Sequence, residues 1–559
     1  MPPHLPLPLH LGPQGQVPSI YDRNDDPRTP LLSGSRKSGD WNSKRPSWVR
    51  RHRLLILVLA AVVVATSTLT SIYREDFSRA VVAMSFLSSE MPAQDPETTE
   101  PDSEEPFDPV ELARLSVDAL LSRQSTTLET AVARYILKTR RPPPPNYDQW
   151  FQFAQERSCL IDEYDQIHRD FEPFYQMAME NPKEFQEMVN RGAAVIEQKA
   201  VEMAVVEIKE GSVEIRNGGE VAYLSNWPIT LGRFSAHLPD MKFLLNSRDE
   251  PRVAFNLQAE GSLEKAFHPE DATPFEIAPR PTAEFFKHHS GCLIPGKAPG
   301  FPTSINDDTA FLISSAKSGF TTDLYPIISM TKISPCFSDI LFPTEYYYDQ
   351  SWWSGKYAYP DNIPWEDKKP QIYWRGMSNG GQIIGSNFHS FPRFKLVDLG
   401  RAHPDIMDVA ITRFAETLCL EGCDREAVMK EYNITGDGQS REDLYGYKYA
   451  VDLDGTTFSG RYLGLLRSGS LVFKATVFEE YFNQWLRPYE HYIPVLPDLS
   501  DLVEKITWAN ENPEEARLIQ QRGMQVAKRI LTDDQNDCYF FAVLLEWARL
   551  QAYAQTVGA

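Results

Sequence analysis

At 559 residues and 63.7 kDa, the chain exceeds the roughly 250 to 300 residues at which single cores stop growing, which excludes one ordinary domain. Its 56 Lys+Arg against 77 Asp+Glu give a net charge of −21, and that balance speaks against a nucleic-acid partner, because counterion release needs dense Lys and Arg. With 42% hydrophobic and 12% aromatic residues, there is ample material for a large core.

Residues 1–53 hold nine Lys or Arg and four Asp, and nine prolines fall within the first 50 positions. Such a composition buries too little apolar surface to offset chain entropy, so a disordered tail is expected. Residues 54–72, LLILVLAAVVVATSTLTSI, are nineteen uncharged residues, which at about 1.5 Å per residue span a hydrocarbon core. Their distance from the start favours an uncleaved signal-anchor over a signal peptide. Arg50, Arg51 and Arg53 flank the run directly, so the positive-inside rule puts the tail in the cytosol and the rest in the lumen.

Residues 73–145 read as a lumenal stem and linker. Residues 88–107 carry seven acids, four prolines and no base, a solvated spacer by composition. A helix follows, with Leu112, Leu115, Ala119 and Leu120 on one face, and Arg141-Pro142-Pro143-Pro144-Pro145 forms a stiff polyproline segment. The globular region is expected to start just after it. Residues 146–200 have a helical, aromatic-rich pattern, while 212–215 and 221–224 alternate as short strands.

Residues 241–246, MKFLLN, are a buried strand ending in the polar turn Ser247-Arg248-Asp249-Glu250-Pro251. Residues 371–374, QIYW, are another, ending in Arg375-Gly376-Met377-Ser378-Asn379-Gly380-Gly381. Polar residues at strand ends are where open α/β sheets hold their ligands. In YKYAVDLDGTTFSGRYLGLLRSGSLVFK, residues 447–474, a strand, a turn, a helix carrying Phe458, Tyr462, Leu465 and Leu466, and a second strand make a β-α-β unit, hence an α/β fold with a largely parallel sheet. Further on, Asp498 is expected to start a helix and Asn512-Pro513 another.

The first turn of the β-α-β helix, Thr456-Thr457-Phe458-Ser459-Gly460-Arg461, offers backbone N–H groups, hydroxyls and a guanidinium that suit a diphosphate. On residues alone it equally fits simple capping, with Arg461 paired to a surface acid. Asp452-Leu453-Asp454 is the D-x-D pattern by which some sugar-nucleotide enzymes hold a divalent metal, or merely a turn. Asp249 suits a general base, or a turn cap. Tyr346-Tyr347-Tyr348 and Trp352-Trp353 offer stacking surfaces for sugars, or core. All six cysteines, Cys159, Cys292, Cys336, Cys419, Cys423 and Cys538, follow the apolar run without zinc-ligand spacing, so disulfides are expected, of open connectivity. Asn433-Ile434-Thr435 is a glycosylation sequon.

Taken together, RPPPPNYDQW from Arg141, LPDMKFLLNSRDEP from Leu238, DILFPTEYYY from Asp339, YWRGMSNGG from Tyr373, the 447–474 unit, LRPYEHYIPVLPDLSDL from Leu486 and Cys538-Tyr539 resemble the CAP10-like glycosyltransferase family, which includes fungal capsule-associated xylosyltransferases and animal protein O-glucosyltransferases. The resemblance implies a GT-B-like pair of Rossmann-type domains with a facing cleft, here preceded by one transmembrane helix. It places an acceptor-side domain at 146–345, a UDP-sugar-binding domain at 346–530 and a helix at 531–559 packing back on the first. The implied chemistry is inverting transfer of xylose or glucose from UDP-xylose or UDP-glucose to a glycan or glycoprotein hydroxyl, without a cofactor or metal. Asp249 would be the base; Arg375, Gly376, Thr456, Thr457, Phe458, Ser459, Gly460 and Arg461 would hold the UDP-sugar; Cys159 would pair with Cys538. The alternatives are a metal-dependent enzyme using Asp452 and Asp454 and a membrane-tethered glycan-binding protein without activity. With no retrieval tetrapeptide at its end, the protein is expected in the Golgi membrane, the endoplasmic reticulum being second choice.

Overall fold

The computed structural model describes residues 108–198, 202–217, 227–267, 321–349, 363–437 and 439–556. The tail, the apolar run at 54–72, the stem up to residue 107, the strand expected at 221–224, Cys292 and Trp352-Trp353 lie outside them. Among the described residues no helix is long and apolar enough to cross a membrane.

Five helices come first. In α1 (Pro109–Ser122), Asp108 accepts a hydrogen bond from the Val110 N–H at 3.0 Å, and Pro109 supplies the preset first-turn φ. The helix packs along a later one, Pro513–Arg529, and buries Ala113 and Val117, while Leu112 and Leu115 stay 38% and 53% exposed. The leucine face expected from spacing is therefore not the packed one. Small residues at i, i+4 meet the neighbouring helix instead. α2 (Leu128–Thr139) starts on a capping box of Thr127 and Thr130, so ordered structure begins ahead of the polyproline segment. α3 (Tyr147–Glu156), α4 (Asp165–Glu180) and α5 (Glu184–Gln198) follow.

The first sheet opens with a hairpin of β1 (Met203–Lys209) and β2 (Ser212–Asn217), Lys209 pairing with Ser212. Its two-residue turn has positive φ at both Glu210 (49°) and Gly211 (77°), the twist-matched geometry of a tight hairpin. After α6 (Trp227–Gly232) come β3 (Met241–Asn246), α7 (Ser262–Phe267), β4 (Ile328–Ser329) and β5 (Ile340–Leu341). The order is β2-β1-β3-β4-β5, antiparallel on both sides of β1 and parallel from β3 onward. A hairpin at its edge makes this sheet mixed, and the expectation of two Rossmann-type sheets is corrected here. A two-residue connection cannot cross over to a parallel strand.

The second sheet matches that expectation. β6 (Lys369–Met377), α8 (Pro392–Ala402), β7 (Met407–Arg413), α9 (Arg425–Glu431), β8 (Tyr447–Leu453), α10 (Tyr462–Leu466), β9 (Leu471–Ala475) and β10 (Ile493–Val495) form an all-parallel sheet ordered β10-β9-β8-β6-β7. The chain turns back on itself between β6 and β8, where doubly wound sheets leave a crevice at their carboxyl ends. α10 is shorter than its sequence pattern suggests: it starts at Tyr462, and residues 455–460 are an irregular loop. α11 (Leu502–Glu511) likewise starts after Asp498, with Leu499 in the preceding turn, and α12 (Pro513–Arg529) starts at its proline.

α13 (Asp533–Thr556) returns to α3, α4 and α5. Tyr539, Phe540, Phe541, Val543, Leu544, Trp547 and Leu550 are all fully buried on it, as expected of a helix apolar all round. Trp150 Nε1 donates to the Cys538 carbonyl at 2.9 Å and Trp547 Nε1 to that of Lys242 at 2.8 Å. A disulfide joins Cys159 to Cys538, the pairing the family resemblance implies. Cys419 is bonded to Cys423, and Cys336 is also in a disulfide.

Candidate active site

At the carboxyl ends of β6, β7 and β8 lies a cavity of about 470 Å³, walled by Arg375, Gly376, Asn379, Arg393, Arg413, Arg441 and Arg461 among others. Arg375 is engaged within it: Nη2 lies 2.5 Å from Asp408 Oδ1, Nη1 donates to the Asp408 carbonyl at 2.7 Å, and Nε donates to Gln439. Burial pushes the Asp408 carboxyl up, but hydrogen bonds from Tyr447 and Arg375 more than offset this and hold it below its ordinary value. Gly376 is required by packing, since a Cβ there would lie 2.5 Å from Cζ2 of Trp374.

Arg461 and Arg393 are different. Arg461 Nη1 donates to the Arg375 carbonyl at 2.9 Å, while its buried Nη2 has no hydrogen-bond partner among the described residues. Arg393 is 7% exposed and among the described residues hydrogen-bonds only to neutral acceptors, the carbonyls of Asp454 and Met377, each at 2.9 Å, that of Leu453 at 3.5 Å, and the Asn379 side chain. Both guanidinium groups lie over Trp374, at 5.6 and 5.8 Å from a ring centroid. Burial, then the charge of Arg461, lower the Arg393 pKa to about 9. A buried cation beside a half-buried one, neither in a salt bridge among the described residues, is costly unless an anion joins them. Arg393 was missed in the sequence, where the available signal was a base in the first turn of α8, against the helix dipole.

A second cavity, of about 410 Å³, shares Asn379, Arg393, Arg441 and Arg461 with the first and adds Asp249, Glu250, Tyr346 and residues 455–460. Asp249, carried by the turn after β3, thus faces Arg393 and Arg461. Its Oδ2 accepts a hydrogen bond from Thr457 Oγ1 at 2.9 Å. In the 455–460 loop the Gly455 N–H bonds the Thr457 carbonyl at 2.7 Å, and the N–H groups of Phe458, Ser459 and Gly460 have no protein acceptor among the described residues. The helix-terminus argument is therefore corrected to one of loop amides, a concavity that attracts anions without a helix dipole.

The other expected residues are placed as follows. Thr456 is half-buried in the cavity wall and Ser459 is buried beside it. Phe458 is 6% exposed and packs on Tyr346 and Tyr347, at 5.7 and 6.4 Å between centroids, so it is core. Gly460 lets Tyr346 settle on the loop, because a Cβ would lie 2.6 Å from Cδ1 of that ring. Tyr347 and Tyr348 are buried, leaving Tyr346 as the one of the three that reaches the cavity.

Asp452 and Asp454 line neither cavity. Asp452 is fully buried and bonded to Lys474 Nζ at 2.8 Å, and Asp454 accepts from the Val477 N–H at 2.9 Å. Among the described residues no three His, Cys, Asp or Glu side chains are grouped to hold a metal ion. Asn433 is exposed, just after α9.

Residues 357–559 match the model of Glycosyl transferase family 90. Over these residues the chain is similar to that family. Protein O-glucosyltransferase 2 of Danio rerio is 35% identical over 188 residues, 34% of each chain. Protein O-glucosyltransferase 3 of Homo sapiens is 31% identical over 189 residues, again 34% of each. Protein O-glucosyltransferase 1 of Rattus norvegicus is 27% identical over 253 residues, 41% of this chain and 59% of the relative. The chain thus spans about a third of the length of the first two relatives.

Proposed function

We propose that this protein transfers glucose or xylose, with inversion, from a UDP-sugar to a hydroxyl of a glycan or glycoprotein. The observation that carries the reading is the joined cavity, with the Asp249 carboxylate on one side and, on the other, Arg393 and Arg461, neither in a salt bridge among the described residues, with open loop amides. Asp249 takes the acceptor proton as the acceptor oxygen bonds to the sugar's anomeric carbon. The bond from that carbon to the diphosphate breaks on the opposite face, and the charge on the departing UDP is met by the two guanidinium groups and the loop amides. Because these groups supply the positive charge, no metal is needed. The names of the relatives support a glucosyl donor and a protein acceptor; xylose stays in the reading through the CAP10-like resemblance. Incubation with a panel of UDP-sugars, with and without EDTA, tests this: UDP is released from UDP-glucose or UDP-xylose in both conditions. Asp249→Asn abolishes turnover while UDP affinity stays within a few-fold, and near-normal turnover in that variant removes Asp249 as the base.

The setting belongs to the same proposal. The run at 54–72 anchors the chain once, with the catalytic part lumenal in the Golgi, and the disulfides suit that oxidising compartment. In sealed membrane vesicles the domain is then protected from added protease and carries a glycosidase-sensitive glycan on Asn433; digestion without detergent would refute it.

A further inference from the structure

Thr457 sits in the donor-side loop, yet its hydroxyl hydrogen goes to the carboxylate of the facing half. Thr457 is 1% exposed, and Oγ1 donates to Asp249 Oδ2 at 2.9 Å. Asp249 is half-buried, and its other oxygen has no hydrogen-bond partner among the described residues. One carboxylate oxygen is therefore pinned and the other is left to accept a proton.

We propose that Thr457 is a positioning residue for the base, holding one Asp249 oxygen so that the other faces the acceptor hydroxyl, and is not itself a ligand of the nucleotide. This rests on the glycosyltransferase reading above. A carboxylate with a single side-chain tether has two soft torsions, and misplacing a base by about 1 Å costs on the order of 100-fold in rate. The tether also links the two substrates, because the loop that carries Thr457 is the loop whose amides await the diphosphate. The other charged groups facing Asp249 are Glu250 beside it and Arg393, Arg441 and Arg461 across the cavity; its neighbour Arg248 is paired with Glu202. All of them stay in place when Thr457 alone is changed.

The test uses the full chain with the donor sugar that the wild type accepts. Thr457→Val keeps the shape and removes the donor hydrogen. Its kcat falls about 10- to 100-fold, while KM for the UDP-sugar and calorimetric UDP affinity stay within about twofold. Thr457→Ser restores most of the rate. Unchanged kcat in a folded Thr457→Val overturns the proposal, as does a loss of UDP affinity matching the loss of rate, which makes Thr457 a donor ligand. Failure of the wild type to bind UDP sinks the glycosyltransferase reading, and this inference with it; an unaffected variant of an active wild type sinks this inference alone.

Discussion

Arg393 has its guanidinium shared among carbonyl oxygens and Asn379, with a second guanidinium nearby and no salt bridge to a carboxylate among the described residues. Desolvating such a group is paid back only when an anion arrives, and charge-assisted hydrogen bonds of that kind contribute about 1.5 to 3 kcal/mol each. Arg393→Met should thus weaken UDP binding by roughly 10- to 150-fold, and Arg393→Lys, lacking the planar fork, should recover only part of it. Calorimetric titration of folded variants decides, and an unchanged UDP affinity in Arg393→Met would contradict the role. Arg375 contrasts with it, since Asp408 already balances its charge. A Trp-Arg-Gly sequence announces an arginine at a strand end but not its partner. That partner comes from β7, so the difference between Arg375 and Arg393 is invisible in one dimension.

At the scale of elements, legibility follows the range of the forces. The strand at Tyr447–Leu453, the strand at Leu471–Ala475 and the apolar face of Tyr462, Leu465 and Leu466 are local patterns, and all are in the sequence. The onset of α10 is not, because it is set from outside: Phe458 is drawn off the helix by Tyr346 and Tyr347, and Gly460 is pressed by Tyr346. The β1–β2 hairpin went half unseen for another reason. Met203–Lys209 is buried nearly throughout and so lacks the alternation by which a half-exposed strand declares itself. Its turn, Glu210-Gly211, puts a glutamate at positive φ, where Asn or Asp would have signalled the bend. α1 shows the same limit in a helix: its leucines follow the expected spacing, and which stripe is buried is decided by the helix it meets. Even so, the placement of Asp249 at the end of β3 and of Arg375 at the end of β6 was readable, because strand ends are where an α/β sheet delivers polar residues.

Across the whole molecule, charge is buried in unequal amounts, and stability must depend on pH in a defined sense. Burial pushes the carboxyl of Asp454 up to about 7, that of Glu480 up to about 8 and that of Asp537 up to about 6. Each is protonated in the folded chain at a pH where the unfolded chain has released the proton. Their stabilising contribution is therefore complete below the ordinary carboxyl pKa and is lost as pH rises through the folded values. The buried histidines act in the opposite window: burial lowers His491 to about 4 and lowers His168, so they cost stability only as pH falls below about 6.5. Between about pH 7 and 8.5 the histidines are neutral in both states and the carboxyls dominate. Glu480, whose Oε2 lies 4.0 Å from Lys474 and whose Oε1 accepts from Tyr347, is the last to release its proton. The melting temperature should accordingly fall as pH is raised through that interval, with a slope up to about 1.4 kcal/mol per pH unit for each carboxyl still protonated. Glu480→Gln removes the titrating group and keeps the shape, so the slope should flatten at its upper end. Calorimetric melts at constant ionic strength measure it, and a wild-type melting temperature that is level or rising from pH 7 to about 8.5 would mean that these carboxylates are ionised inside the fold.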